Sequence, residues 1–205
     1  MAEDRPQIYL ISPSDPDPEL FADRLARVLD TVGIACVRLV TTTRDEMRIG
    51  RAADALRAVA HERDVAIVIE THFRMAERHG LDGVHLSDGA RSLREARKLL
   101  GPDAIVGAFC GASRHEGMTA GEAGADYVSF GPVGTSALGS GATAEQALFA
   151  WWSEMIEVPV VAEGGLSPEL VRACAPVCDF LGIGDEIWIS EDPVASLTGL
   201  LAPLG

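Results

Sequence analysis

The sequence contains very little lysine. Of its 17 basic residues, Lys98 is the single lysine and the others are arginine. Any chemistry that requires a lysine therefore has one candidate. Acidic residues outnumber basic ones, 31 to 17, and the formal net charge is −14. This balance argues against nucleic acids and anionic membrane surfaces as partners, because both require basic patches.

Cysteines and long apolar runs are scarce as well. Four cysteines in 205 residues are too few for a disulfide scaffold, and Cys174 and Cys178 lack the paired spacing of a zinc site. No apolar run reaches the ~20 residues that a membrane-spanning helix needs. The start of the chain, MAEDRPQ, carries acidic residues and leads directly into a strand-like run, unlike a signal peptide. We therefore expect a cytoplasmic protein.

Short apolar runs alternate with amphipathic segments along the chain. Eight runs have the composition of buried strands: QIYLIS, ACVRLV, VAIVIE, GVHLS, AIVGAFC, DYVSFG, VPVVAEG and DFLGIG. A helical pattern follows each run, with Ser92 as the expected cap of the fourth helix and Ser167, before Pro168, of the seventh. Strict alternation implies a parallel sheet with right-handed crossovers. The pattern predicts a single (β/α)8 TIM barrel over residues 1–205.

Polar residues and glycines stand where these strands end, which is where TIM barrels place their binding and catalytic groups. The polar residues expected there are Arg38, Glu70, His85, Asp88, Cys110, Thr135, Ser136 and Glu163. The glycines after the last two strands are Gly164, Gly165, Gly182 and Gly184. Barrels often hold a phosphate between these two loops, beside a short extra helix that DEIWIS is placed to form. Asp185 and Glu186 in the first turn of this helix would compete with a phosphate for the backbone amides. Alternatively, the glycines only allow tight turns and bind no phosphate.

The charged residues leave two interpretations open. In the first, Glu70 and Asp88 bind Mg²⁺, because this hard cation prefers carboxylate oxygens. In the second, Arg38 pairs with Glu70 as part of the structure, and the pocket accepts a neutral or cationic ligand. His85 is either a general acid or base or a hydrogen-bonded histidine of the barrel interior. Cys110 as a nucleophile would need a base nearby.

Four segments carry a resemblance to a known family. They are IYLIS near the start, LDGVHL at 81–86, GADYVSFGP at 124–132 and PVVAEGGLSPELV at 159–171. In their order and spacing they resemble the thiamine phosphate synthase family and its thiazole tautomerase relatives over nearly the whole chain. The resemblance implies this barrel fold. For synthase members it implies an enzyme that joins a hydroxymethylpyrimidine diphosphate to a thiazole phosphate, releasing diphosphate with the help of magnesium.

The sequence departs from the family pattern where charge is concerned. The family's Gln-x-Arg-x-Lys at the second strand is replaced by RLVTT at 38–42, and its Asn-Asp after the third strand by Glu70-Thr71. The loop after the sixth strand, FGPVGTSALGSG at 130–141, lacks the family's lysine and offers the hydroxyls of Thr135 and Ser136 instead. A diphosphate leaving group needs cations around it. The missing lysines and the replaced Asn-Asp therefore put the synthase reaction in question.

The leading hypothesis is a transferase that acts on phosphorylated thiamine precursors, as a homo-oligomer in the cytoplasm. Its candidate residues are Arg38, His85 and Ser136 for catalysis, Gly164, Gly165, Gly182, Gly184, Thr135, Glu163 and Cys110 for phosphate or substrate, and Glu70 and Asp88 for Mg²⁺. A second hypothesis is a divergent paralogue that binds a thiamine-related ligand without turnover. A third is a different reaction on the same barrel. One of Trp151 and Trp152 is expected to face the barrel, and the other to mark a subunit contact if exposed.

Overall fold

The computed structural model describes residues 5–139 and 141–205, and within them the strands form one closed parallel barrel in chain order. The strands are β1 (Gln7–Ile11), β2 (Ile34–Leu39), β3 (Ala66–Glu70), β4 (Gly83–Leu86), β5 (Ile105–Phe109), β6 (Tyr127–Phe130), β7 (Val160–Glu163) and β8 (Phe180–Ile183). The helices are α1 (Pro18–Leu29), α2 (Glu46–His61), α3 (Phe73–His79), α4 (Leu93–Leu100), α5 (Arg114–Glu122), α6 (Gln146–Met155), α7 (Pro168–Cys174), α8 (Asp185–Trp188) and α9 (Pro193–Leu201). A 3₁₀ turn, Ala202–Leu204, follows α9. The predicted (β/α)8 fold is confirmed, with α8 as the expected short extra helix. The first four residues, part of the MAEDRPQ stretch behind the localisation expectation, lie outside the described residues.

The strand residues alternate between two packing environments, because successive side chains of a strand point to opposite faces. One set, such as Leu10 and Ile67, faces the helices and belongs to the large core cluster. The other set faces the inside of the barrel, where Tyr9, Val68 and Tyr127 belong to a second, smaller cluster. The interior is therefore filled by side chains, as in other barrels of this size, and polar groups gather above this apolar layer.

Two glycines in the strands make room for large interior side chains. A Cβ atom on Gly107 of β5 would lie 2.0 Å from Cζ of Tyr127, and one on Gly182 of β8 would lie 2.8 Å from Cβ of Glu163. Any larger residue at either position would displace its neighbour. The absence of a side chain at Gly182 therefore leaves room for Glu163 in the barrel.

Side-chain caps begin several of the helices. Asp45 accepts hydrogen bonds from the amides of Met47 and Arg48 at the start of α2, and Ser167 accepts one from Leu170 at the start of α7, as predicted. The prediction that Ser92 caps α4 is wrong in its chemistry. Ser92 stands at the cap position, but its hydroxyl donates to the Asp88 carboxylate at 2.7 Å instead of accepting from a helix amide.

None of the helices in the described part of the chain is long and apolar enough to cross a membrane.

The loops after β6 and β7 contact each other through their backbones. The Gly134 amide donates to the Gly164 carbonyl at 2.9 Å, and a Cβ on Gly134 would lie 2.1 Å from the Gly165 carbonyl oxygen. Gly164 and Gly165 both have positive φ, 85° and 77°, a conformation that favours glycine. The first part of the FGPVGTSALGSG segment is thus fixed against the β7 loop, and it forms one wall of the barrel mouth.

Candidate active site

A buried ion pair joins β2 and β7 at the carboxyl end of the barrel. Arg38 and Glu163 are 4% and 1% exposed. The Arg38 guanidinium donates from Nη1 to Oε1 of Glu163 at 3.3 Å and from Nη2 to Oε2. Glu70, at the end of β3, adds a second carboxylate whose Oε2 lies 3.6 Å from Nε of Arg38. One guanidinium therefore faces two carboxylates, and Arg38 is held by the chain itself.

Burial and charge together set the protonation of this triad. Burial lowers the pKa of the Arg38 guanidinium, but Glu163 and Tyr9 raise it by more, so the pKa is raised overall and Arg38 stays charged. Burial also raises the pKa of the Glu70 carboxyl, although Arg38 acts in the opposite direction. Arg38 is therefore the permanent charge of the triad, and its positive charge is already matched within the protein.

A chain of hydrogen bonds lies in the interior and links three aromatic side chains. The hydroxyls of Tyr9 and Tyr127 are 2.6 Å apart, and the Tyr127 hydroxyl lies 2.9 Å from Nδ1 of His85. The rings of His85 and Tyr127 stack with centroids 5.6 Å apart. Burial, with the Arg38 charge, holds the pKa of His85 well below its usual value, so the imidazole is neutral. This geometry favours the interpretation of His85 as a histidine of the barrel interior over an acid or base in contact with substrate.

The anion site predicted between the β7 and β8 loops is present. Three backbone amides, of Gly165, Leu166 and Gly184, form this cradle, and a carboxylate of the chain lies in it. The amides of Gly165 and Leu166 donate to Oε1 of Glu186 at 2.9 and 3.0 Å, and the amide of Gly184 donates to Oε2 at 2.7 Å. Glu186 belongs to α8, directly after β8. The three amides that could hold a phosphate thus donate to an internal anion, as the position of Glu186 in the first turn suggested.

The side chains of Cys110, Thr135 and Ser136 make no hydrogen bond with either of these two centres among the described residues. Cys110 is buried, with Sγ 3.5 Å from the Ala108 carbonyl, and burial raises its pKa to about 12, which keeps it a thiol. Thr135 and Ser136 are exposed on the β6 loop, and the Ser136 hydroxyl accepts from the Leu138 amide at 3.1 Å. Ser140 of this loop lies outside the described residues.

An apolar side chain lies where the family pattern would place a charged loop residue. A Cβ on Gly164 would come within 2.9 Å of Cδ2 of Leu138, and a Cβ on Gly139 within 3.5 Å of the Phe109 ring. Leu138 therefore covers the β7 loop beside the ring at the end of β5. This side of the mouth suits a flat, uncharged ring better than a diphosphate.

The residues expected to bind magnesium do not form a ready site. Glu70 is directed towards Arg38, and Asp88 accepts a hydrogen bond from Ser92. The described part of the chain contains no group of three or more His, Cys, Asp and Glu side chains that could hold a metal. Mg²⁺ usually takes one or two protein carboxylates together with substrate phosphates. Binding through Glu70 would compete with the Arg38 contact, and magnesium stays a prediction.

Sequence reasoning missed a basic cavity at the same end of the barrel. Its volume is about 440 Å³, and it lies between the loops after β2 and β3. Its lining carries three arginines against one carboxylate, and it includes Thr71, which directly follows Glu70. The lining residues are Arg44, Glu46, Ile49, Thr71, His72, Phe73, Arg74, Met75 and Arg78. A signal was present, since Arg44 and Arg74 follow the ends of β2 and β3 within five residues.

Comparison with known proteins decides the family. Residues 8–178 match the family model described as thiamine monophosphate synthase. The chain belongs to this family. It is 44% identical over 189 residues to a thiamine-phosphate synthase of Rhodospirillum centenum, covering 89% of each protein. It is 38% identical over 198 residues to a thiamine-phosphate synthase of Erythrobacter litoralis, covering 92% of this chain and 91% of that one.

A solved structure also supports the barrel fold of this chain. A thiamine phosphate pyrophosphorylase from Pyrococcus furiosus superposes with a TM-score of 0.81 over the full length of both chains, at 20% identity. The resemblance read from the four sequence segments is therefore confirmed, and so is the prediction of an enzyme of this transferase family.

Proposed function

We propose that this protein is a transferase of thiamine biosynthesis that joins a hydroxymethylpyrimidine diphosphate to a thiazole phosphate. The observation that carries the proposal is the 44% identity to a thiamine-phosphate synthase over 89% of both chains. The polar groups at the carboxyl end of the barrel support it, because activity in this fold lies at that end.

The bond changes of this reaction are simple. The bond between the methylene carbon of the pyrimidine and the diphosphate oxygen breaks, and its electron pair leaves with the diphosphate. The lone pair of the thiazole nitrogen forms the new carbon–nitrogen bond to that methylene carbon. No proton has to move, so a buried neutral His85 is compatible with the chemistry. Positive charge develops on the pyrimidine and remains on the thiazolium product.

The acidic mouth complements this positive charge. The Glu70 side chain is 27% exposed at the end of β3, and Arg38 holds it there. A preorganised carboxylate stabilises charge that develops in the transition state. Arg38 and Glu163 are buried beneath it and act as positioning residues. Asp88 would hold Mg²⁺, and Glu70 would join it only in place of its contact with Arg38; the ion would offset the charge of the departing diphosphate.

The basic cavity beside β3 is the best match for the diphosphate. Arg74 and Arg78 are already paired, with Glu95 at 3.5 Å and Glu46 at 2.9 Å, and Arg44 adds a further positive charge to the lining. An arginine is suited to a diphosphate because its planar guanidinium donates to two oxygens at once. In this proposal Arg44 supplies part of the positive charge that the missing family lysine would bring to the diphosphate.

The test is an assay with both precursors and Mg²⁺, run beside an established synthase. Product formation is expected, and Arg44→Ala should lower kcat/KM at least about ten-fold, as the loss of one charged contact does. Arg172→Ala, which removes an exposed arginine from α7, should leave the rate unchanged. Absence of product at high enzyme concentration, while the reference synthase is active, would contradict the proposal.

A second candidate is a protein that binds a thiamine-related ligand without turnover. The closed ion pair of Arg38 and the filled cradle favour it, because neither centre offers a free charge to a phosphate. Calorimetry with thiamine, its phosphates and both precursors tests this candidate. Binding without product supports it, and no binding of any of these compounds overturns it.

Two further properties stay proposals. A cytoplasmic location is an expectation from the sequence and stays one. Homo-oligomerisation rests on the tryptophans of α6: Trp152 is fully buried, whereas Trp151 is partly exposed and lies under the Arg114 guanidinium, 4.6 Å from its carbon to the ring centroid. Light scattering on the purified protein measures the oligomeric state.

A further inference from the structure

Glu186 joins two loops that come from different parts of the sequence. Gly165 and Leu166 follow β7, and Gly184 follows β8, yet their three amides converge on one carboxylate at 2.7–3.0 Å. A hydrogen bond to an ionised acceptor is stronger than one between neutral groups. The cradle is therefore an anion site whose occupant is part of the chain.

Any other anion must displace this carboxylate before it can use the three amides. The displaced Glu186 would stay close by, because it is anchored on α8 next to Asp185. A phosphate ester would then lie beside the displaced Glu186 carboxylate, and like charges at short distance repel. The contacts recorded for the three amides and for Glu186 in the described residues include no lysine or arginine that would offset this repulsion.

An acceptor without a phosphate does not face this competition. A thiazole with a free hydroxyl in place of the phosphate ester can stand beside the filled cradle and leave its hydrogen bonds intact. The apolar wall at Leu138 and Phe109 accepts the ring of either compound.

We propose that Glu186 determines the acceptor selectivity of this barrel: its carboxylate occupies the cradle as an internal competitor, which weakens binding of the phosphorylated thiazole relative to the same thiazole with a free hydroxyl. The proposal rests on the proposed function for the identity of the acceptor. The competition itself does not depend on turnover and can be measured without it.

The first experiment measures the competition directly with inorganic phosphate. Backbone amide shifts of Gly165, Leu166 and Gly184 are followed by NMR during a phosphate titration of the full chain. Glu186→Ala and Glu186→Gln should show saturable shifts with a Kd roughly ten-fold or more below that of the wild type. Asp185→Ala removes the same charge from the neighbouring position, where the side chain makes no recorded hydrogen bond, and should behave like the wild type.

Equal phosphate affinity in the wild type and both Glu186 variants overturns the proposal.

The second experiment measures selectivity with the two thiazoles and one pyrimidine diphosphate. The ratio of kcat/KM for the phosphorylated over the free thiazole should rise at least about ten-fold in Glu186→Ala and stay constant in Asp185→Ala. An unchanged ratio in Glu186→Ala overturns the proposal. If neither thiazole reacts with any variant, the proposed function fails, and the phosphate titration still decides whether Glu186 is an internal competitor.

Discussion

Two carboxylates close two centres at the same end of the barrel, and they do so in different surroundings. Glu163 is 1% exposed and neutralises a buried guanidinium. Glu186 is half-buried and accepts from three backbone amides that carry no net charge. The first contact is a charge pair within the protein, and the second is a site that water or a ligand can reach.

Because of this difference, the first centre stabilises the fold, whereas the group bound at the second can be exchanged. Removing one member of a buried pair leaves the other charged and without a partner, which is strongly destabilising. Removing a carboxylate from three backbone amides leaves no unpaired charge, only neutral donors that water entering the emptied cradle can satisfy. We therefore expect the Arg38 centre to govern stability and the Glu186 centre to govern which ligand binds.

The largest effect is expected for Glu163→Ala. It leaves the charge of Arg38 buried with only the more distant Glu70 as a counterion, so the free energy of unfolding should fall by about 3–5 kcal/mol. Urea denaturation of the purified variants measures this loss.

The double variant Arg38→Met/Glu163→Leu is the control for this effect. It removes both charges and keeps apolar volume, so it should be more stable than Glu163→Ala. If the double variant is the less stable of the two, lost packing rather than an unpaired charge is the cause, and the comparison with Glu186 loses its basis.

The barrel and its mouth could be predicted because they follow from periodicity. Strand–helix alternation places Arg38, Glu70 and Glu163 at strand ends, and strand ends meet at one face. Only contacts across the barrel decide which partner each charge takes. One of the two interpretations of the sequence paired Arg38 with Glu70, on the adjacent strand, and that contact is present at 3.6 Å. The two-fold hydrogen bonding, however, goes to Glu163, which is 125 residues away in the chain.

The cradle shows the same limit in another form. The glycines and the short helix were visible in the sequence, and so was the competition from the first turn of that helix. Which of the two neighbouring acids enters the cradle depends on side-chain direction, and Glu186 rather than Asp185 has the length and position to reach it. The role of Ser92 was misjudged for a similar reason, because its hydroxyl is oriented to donate to the Asp88 carboxylate and accepts from no amide of α4.

A smaller effect is expected from His85 and depends on pH. Burial lowers the pKa of His85 in the folded state, so below pH ~6.5 the unfolded chain binds a proton that the folded chain does not. Stability is then lost as the pH falls from 6.5 towards the folded pKa, by up to about 1.4 kcal/mol per pH unit.

His85→Gln removes this proton and keeps a polar side chain opposite Tyr127. The difference in unfolding free energy between wild type and variant should therefore shrink as the pH falls from 7 to 5.5. A difference that is constant over this range would show that His85 is protonated in the folded protein, against its position 1% exposed in the barrel.

The smallest effect on stability is expected for Glu186→Gln. The side-chain amide of Gln keeps one oxygen that can accept from the backbone amides. Its NH₂ group replaces the second oxygen and cannot accept, so the backbone amide that loses its acceptor binds water instead. A loss of about 0.5–1.5 kcal/mol is expected, as for one hydrogen bond. Asp185→Asn changes a side chain that makes no hydrogen bond within the described residues, and it should stay within about 0.5 kcal/mol of the wild type. Amide hydrogen exchange should accelerate at Gly165, Leu166 and Gly184 while the strands remain protected. A loss as large as that of Glu163→Ala, or a loss of protection in the strands, would show that the cradle is part of the structural centre and not an adjustable site beside it.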